Sequence, residues 1–119
     1  MYIKITPNES VEIKEIPAGA DMLRLMQSEV GGNIETLGAG YLDSFLSVIV
    51  PGIIMIVNEE DEIKELDYNL EATECLADGL DYIVGDALFF KRGENEYGEQ
   101  DIVGLTAEEA DSLYKWLTM

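Results

Sequence analysis

The residue types that carry most enzyme chemistry are scarce in this chain. Its 119 residues include no histidine, one cysteine (Cys75) and five serines. Without imidazole there is no Ser–His or Cys–His nucleophile pair, no imidazole general base and no His-containing metal site. What remains is carboxylate chemistry: 25 Asp and Glu against seven Lys and Arg, a formal net charge of -18. Cys75 falls on the apolar stripe of a predicted helix beside Glu71 and Glu74. Acidic neighbours raise a thiol's pKa, so it reads as a core cysteine rather than a nucleophile. The run from Asn58 to Glu62 offers oxygens to a hard divalent cation. It lacks the alternate ligand spacing and central glycine of a helix–loop–helix calcium site, and reads as a solvated turn. Asp81 and Asp86 flank a short apolar stretch and could form a carboxylate pair. Asp86 follows Gly85 at a strand start, where local hydrogen bonds to backbone are the simpler role. Gly31-Gly32 would cradle phosphate only at a helix N-terminus, and it stands at a predicted C-terminus, where the dipole repels anions. The expectation is no catalytic residue, no cofactor, no metal and no enzyme.

The charge itself is the outstanding feature. A small domain needs a net charge of only about 2–8 in magnitude for solubility, and the excess costs self-repulsion in the folded state. Nucleic-acid backbones are bound through Lys and Arg contacts that release counterions, so direct nucleic-acid binding is excluded. The acidity is also uneven. From Asn58 onward 18 acidic residues face four basic ones, a net of -14, whereas residues 1–57 carry seven acidic and three basic, a net of -4.

The elements that must position these carboxylates read as follows. Tyr2 to Thr6 and Val11 to Ile16 alternate with period two around Pro7-Asn8-Glu9-Ser10, which predicts an N-terminal β-hairpin. Met22, Leu25, Met26 and Val30 recur at helical spacing and Gly31-Gly32 ends that helix. Strands are expected over Ile34 to Leu37, Phe45 to Val50 and Ile53 to Val57, with Ile63 to Leu66 as a further short one. Asn69 is the N-cap of a helix with Glu71 in its first turn, a buried stripe of Ala72, Cys75 and Leu76, and a stop at Gly79. Ala87 to Lys91 reads as a strand and Gly93 to Gln100 as a polar loop. Thr106 and Glu109 form a capping box for a last helix carrying Ala110, Leu113, Tyr114 and Leu117 on one stripe. The result is one domain over residues 1–119 of class α+β: an N-terminal hairpin, then a mixed or antiparallel sheet with about three helices packed on it.

A single cysteine permits no internal disulfide. Met1 to Lys4 lacks the basic and apolar run of a signal peptide, and Phe45 to Val57 is too short to span a bilayer. A cytoplasmic location is expected, with no membrane partner. Tyr41, Phe45, Phe89, Phe90 and Tyr114 read as core, while Trp116 lies off the last helix's stripe and is expected to be exposed, as an interface anchor.

In this order the signals resemble domain-of-unknown-function family 3846. The residues that carry the likeness are Val30-Gly31-Gly32-Asn33-Ile34-Glu35, Ile56-Val57-Asn58-Glu59-Glu60, Asn69-Leu70-Glu71-Ala72-Thr73, Ile83-Val84-Gly85-Asp86 and Gly104-Leu105-Thr106. The stretch from Gly38 to Pro51 is longer than the family pattern leads one to expect, which implies an added strand or loop. The resemblance implies a setting in phages and mobile elements of Gram-positive bacteria, and no activity.

The expected function is that of an acidic, non-enzymatic inhibitor that occupies a basic, nucleic-acid-binding surface on a host protein such as a defence nuclease. Alternate residues on a strand lie about 6.6 Å apart, a spacing comparable with that of phosphates along a DNA strand. Glu94, Glu96, Glu99 and Asp101, followed by Glu108, Glu109 and Asp111, would line the partner-binding face, with Trp116 beside it. The alternatives are a small-molecule-binding or sequestering module using the apolar Gly38 to Ile56 region, or a structural or regulatory phage protein; a homo-oligomer is compatible with each.

Overall fold

A computed structural model describes residues 1–60, 65–77 and 82–119. The expected Ile63 to Leu66 strand, the Gly79 helix stop and Asp81 fall wholly or partly outside the described residues. Among the described residues the elements run β1 (Tyr2–Ile5), β2 (Val11–Lys14), α1 (Met22–Val30), β3 (Ile34–Leu37), α2 (Ser44–Ile49), β4 (Ile53–Asn58), α3 (Leu70–Thr73), β5 (Ala87–Glu94), β6 (Gln100–Val103) and α4 (Ala107–Leu117). The α+β class and the opening hairpin are as expected. All pairings between these strands are antiparallel, in the order β2-β1-β5-β4-β3, with β6 also on β5.

Apolar alternation in the central strands builds two cores at once. Ile53, Met55 and Val57 of β4, Ala87 and Phe89 of β5, and Ile3 and Ile5 of β1 face one side. There they meet Leu46 and Val50 from the α2 segment, Ala72 and Cys75 from the α3 segment, and Ala110, Leu113 and Leu117 of α4. Ile54, Ile56, Leu88, Phe90 and Tyr2 face the other side, under Met26 and Val30 of α1. Every residue of β4 is therefore buried, which explains why it reads as an unbroken apolar run rather than a half-polar one. Tyr2 and Phe90 stack with ring centroids 5.0 Å apart.

Several sequence expectations fail here. The helix capped by Asn69 ends at Thr73, short of Cys75 and Leu76, and Tyr41 and Phe45, expected in the core, are exposed. The segment Phe45 to Val50 forms α2, not a strand. Asp43 supplies the reason: its Oδ1 accepts from the Phe45 N–H at 2.9 Å, capping the helix. Leu46 and Val50, four residues apart, then both point into the core. At the exit Gly52 takes φ +80, and a Cβ there would stand 2.8 Å from the Arg92 carbonyl. The polar loop expected from Gly93 to Gln100 is instead the end of β5, a tight turn and the start of β6. The added material between Gly38 and Pro51 is thus a turn and a helix. No helix among the described residues is long and apolar enough to cross a membrane.

Polar side chains inside this frame are fully used. Asn69, completely buried, donates to the carbonyls of Ile5 (3.1 Å) and Gly85 (2.8 Å) and accepts from the Ala72 N–H (3.1 Å). It caps α3, as expected, and also ties that helix to β1 and to the entry of β5. Asn58 donates to the Val30 carbonyl at 3.0 Å, closing the end of α1, and accepts from the Glu60 N–H. Asn58 is therefore a structural brace, while Asp61 and Glu62 of the same run fall outside the described residues. Glu29 on α1 receives the Tyr2 hydroxyl (2.7 Å), Lys14 (2.8 Å) and Lys4 (3.4 Å). Burial works to raise the Glu29 pKa, but the hydrogen bonds from Lys14 and Tyr2 and the charge of Lys4 prevail, leaving it below the usual glutamate value.

Replacing Asn69 by Ala removes three hydrogen bonds from a fully buried site, to the Ile5 and Gly85 carbonyls and from the Ala72 N–H. Unfolding in urea should show a loss of about 3 kcal/mol, and an unchanged midpoint would contradict the bracing role. For Glu29 the sign follows from its lowered pKa: its contribution is complete above the ordinary glutamate value and is lost as pH falls through the folded one. The stability gap between wild type and Glu29→Gln should therefore be constant near neutrality and shrink from about pH 5 downward, read from urea midpoints at stepped pH.

Candidate functional site

The acidic residues expected to meet a partner are carried chiefly by the β5–β6 hairpin. Lys91 pairs with both Ile53 of β4 and Val103 of β6, so β6 lies on the opposite side of β5 from β4, in line with β1. The neighbours end early: β1 pairs no further than Phe89, and the last bond from the β4 side is Arg92 N–H to the Gly52 carbonyl at 2.9 Å. Beyond this point the two strands pair only with each other, and the tip projects roughly 10 Å past the sheet. The hairpin is an arm.

Its tip is pre-organised. Asn95 Oδ1 accepts from the N–H groups of Tyr97 (2.9 Å) and Glu99 (3.0 Å), and the Asn95 and Gly98 N–H groups close the turn on Glu99 and Asn95 carbonyls. Gly98 takes φ +77, a conformation that glycine adopts without strain. This arrangement presents Tyr97, 78% exposed, between Glu94, Glu96 and Glu99, all exposed. Tyr97 was missed in the sequence, although the Asn95 to Gly98 spacing is a turn signal that would have placed it at a tip.

The eight expected contact residues do not form one face. Glu94 lies opposite Gln100 and Asp101 opposite Gly93, so in the alternating pleat Glu94 and Asp101 project from opposite sides of the arm. Asp101 also accepts from the Ile102 N–H at 2.8 Å. Glu108 is exposed in the first turn of α4. Glu109 is not available: its Oε1 holds Lys91 at 2.7 Å and the Thr106 N–H at 2.9 Å, completing the capping box. Burial tends to raise the Glu109 pKa, but Lys91 and the Thr106 hydrogen bonds together bring it below the usual value. Asp111 pairs with Lys115 at 3.0 Å. Trp116 sits at the other end of α4, about 15 Å from its cap by helical rise. It is half-buried, not exposed as expected, and its ring lies 6.2 Å from Phe45 of α2.

The remaining chemical candidates resolve into structure. Cys75 is 1% exposed, donates to the Glu71 carbonyl at 3.3 Å, and its thiol is pushed up to about 12 by burial and then by Glu71, Glu74 and Asp43. Such a thiol is protonated at neutral pH and unfit as a nucleophile. Asp86 pairs with Lys4 at 3.6 Å across the β1–β5 boundary, instead of bonding local backbone. Gly31 takes φ +79 and closes the C-terminus of α1, as expected. Among the described residues no three acidic or cysteine side chains lie close enough to hold one metal ion.

No curated protein and no solved structure is similar enough to register. The model of the family described as Domain of unknown function (DUF3846) matches residues 1–118, from the first strand of the opening hairpin to the end of α4. On that match across nearly its whole length, the chain belongs to the DUF3846 family.

Proposed function

We propose that this is an acidic, non-enzymatic binding protein that docks its β5–β6 arm, with Glu108 alongside, on a positively charged surface of another protein. The surface is one that otherwise receives nucleic acid. One observation carries the reading: Glu94, Glu96 and Glu99 stand exposed around Tyr97 on a rigid projecting turn, none of them in an ion pair among the described residues. A tyrosine whose backbone is held by the turn and whose ring is surrounded by charge is suited to anchoring an interface, because the backbone that carries it need not be ordered on binding.

The geometry refines the expectation drawn from sequence. Carboxylates on both sides of the arm favour insertion into a basic groove over contact with a flat basic plane. A groove of this kind is how many proteins hold a single strand or duplex, by lining a channel with cations. The chain's net charge of -18 would steer the encounter and make it fast at low salt. The same reading takes a phage or mobile-element setting in Gram-positive bacteria, with a host defence nuclease in the cytoplasm as the class of target.

Affinity capture from a bacterial lysate tests this. The wild-type protein should retain a nucleic-acid-binding protein that added duplex DNA releases, and that is lost between about 50 mM and 200 mM salt. The variant with Glu94, Glu96 and Glu99 all changed to Gln should retain at least about tenfold less. Capture that neither DNA nor the triple change reduces, or no capture of such a protein at low salt, overturns the proposal.

A further inference from the structure

A second surface lies away from the arm, where the start of α2, the α3 segment and the end of α4 meet. Here a cleft of about 330 Å³ is lined by Asp43, Glu71, Glu74, Cys75, Trp116, Leu117 and Met119. Its apolar lining is the half-buried Trp116 with Leu117, Met119 and the buried Cys75, and the 50% exposed ring of Phe45 lies 6.2 Å from Trp116. Its rim is acidic, and among the described residues no Lys or Arg reaches Glu71, Glu74 or Asp43 to within 4 Å. The Asp43 carboxylate is anchored by the Phe45 N–H, and the backbone fixes the two sides together through Asp43 N–H to the Cys75 carbonyl (2.9 Å) and Ala77 N–H to the Tyr41 carbonyl (3.0 Å).

We infer that this cleft receives an arginine side chain of a basic partner protein. Charge complementarity selects the occupant: three carboxylates exclude an anion and attract a cation. Among the described residues no three acidic or cysteine side chains are placed to hold one metal ion. A guanidinium is a larger, planar and weakly hydrated cation that stacks on indole while its N–H groups reach several carboxylates. A lysine ammonium, compact and strongly hydrated, fits such a wide aromatic site less well. The inference rests on the reading that the partner is basic, and it assigns that partner a second point of attachment.

Trp116 is the only tryptophan, so its emission reports on the cleft alone. Titration at low salt with a blocked tetra-arginine peptide should give a saturable change in Trp116 fluorescence. The Glu71→Gln/Glu74→Gln variant, first confirmed folded by circular dichroism, should bind about tenfold more weakly. The triple arm variant should bind within about twofold of wild type, because the arm is remote from the cleft. A tetra-citrulline peptide should leave the signal flat, and a tetra-lysine peptide should bind more weakly. No saturable change, an equal response to citrulline or to lysine, or loss of the response in the arm variant would each overturn the inference. Peptide binding that fails while arm-dependent capture persists rejects the cleft and leaves the proposed function standing. The reverse result rejects the arm and keeps the cleft.

Discussion

A carboxylate taken out of water must be paired or neutralised, and this chain has 25 of them against seven cations. That imbalance governs the structure. Three of the cations, Lys4, Lys14 and Lys91, are placed on partly buried carboxylates. Glu29, its side chain 14% exposed, holds both Lys4 and Lys14, and Glu109, 19% exposed, holds Lys91. Asp86 shares Lys4. Carboxylates on the arm receive no such partner and are left in water, where they are least costly. Among the described residues the interior holds no charge: the buried polar residues there are Asn58 and Asn69, and both are hydrogen-bonded as donors and acceptors.

Much of this was legible in the residues. Period-two alternation placed β1 and β2, and Gly31-Gly32 and the Thr106 to Glu109 box placed two helix ends, because each is a local device that works without knowledge of the rest of the fold. The failures share a cause. Phe45 to Val50 has strand composition, yet Asp43 capping and the burial of Leu46 and Val50 against α4 make it a helix. Tertiary contact outweighed propensity there. The span Gly93 to Gln100 has loop composition, yet Asn95 and Gly98 supply turn chemistry that lets polar strands pair. Those signals were present and were masked by the acidic residues around them.

The candidate site was legible by composition and not by geometry. Charge alone pointed to the residues after Asn58, but only pairing registers show that Glu94 and Asp101 face opposite ways, and only the packed fold shows Glu109 held by Lys91. Trp116 was expected beside the acidic face and instead borders a separate cleft, about 15 Å along α4 from the capping box. That cleft could not be seen in sequence, because Asp43, Glu71 and Trp116 come from three distant segments brought together by α2, α3 and α4. The two separate features, an arm with carboxylates on both sides and a cleft bordered by an aromatic ring, share one preference: each is complementary to a cationic surface.

The central claim is that the arm's carboxylates face outward for a partner and contribute nothing to folding. Thermal unfolding of wild type and of a variant with Glu94, Glu96, Glu99 and Glu108 all changed to Gln tests it most directly. If the claim holds, relief of like-charge repulsion makes the variant equally or more stable at low salt, and the difference narrows as salt screens the charges. A variant that melts several degrees below wild type would show that these carboxylates serve the fold itself, and the account would be wrong.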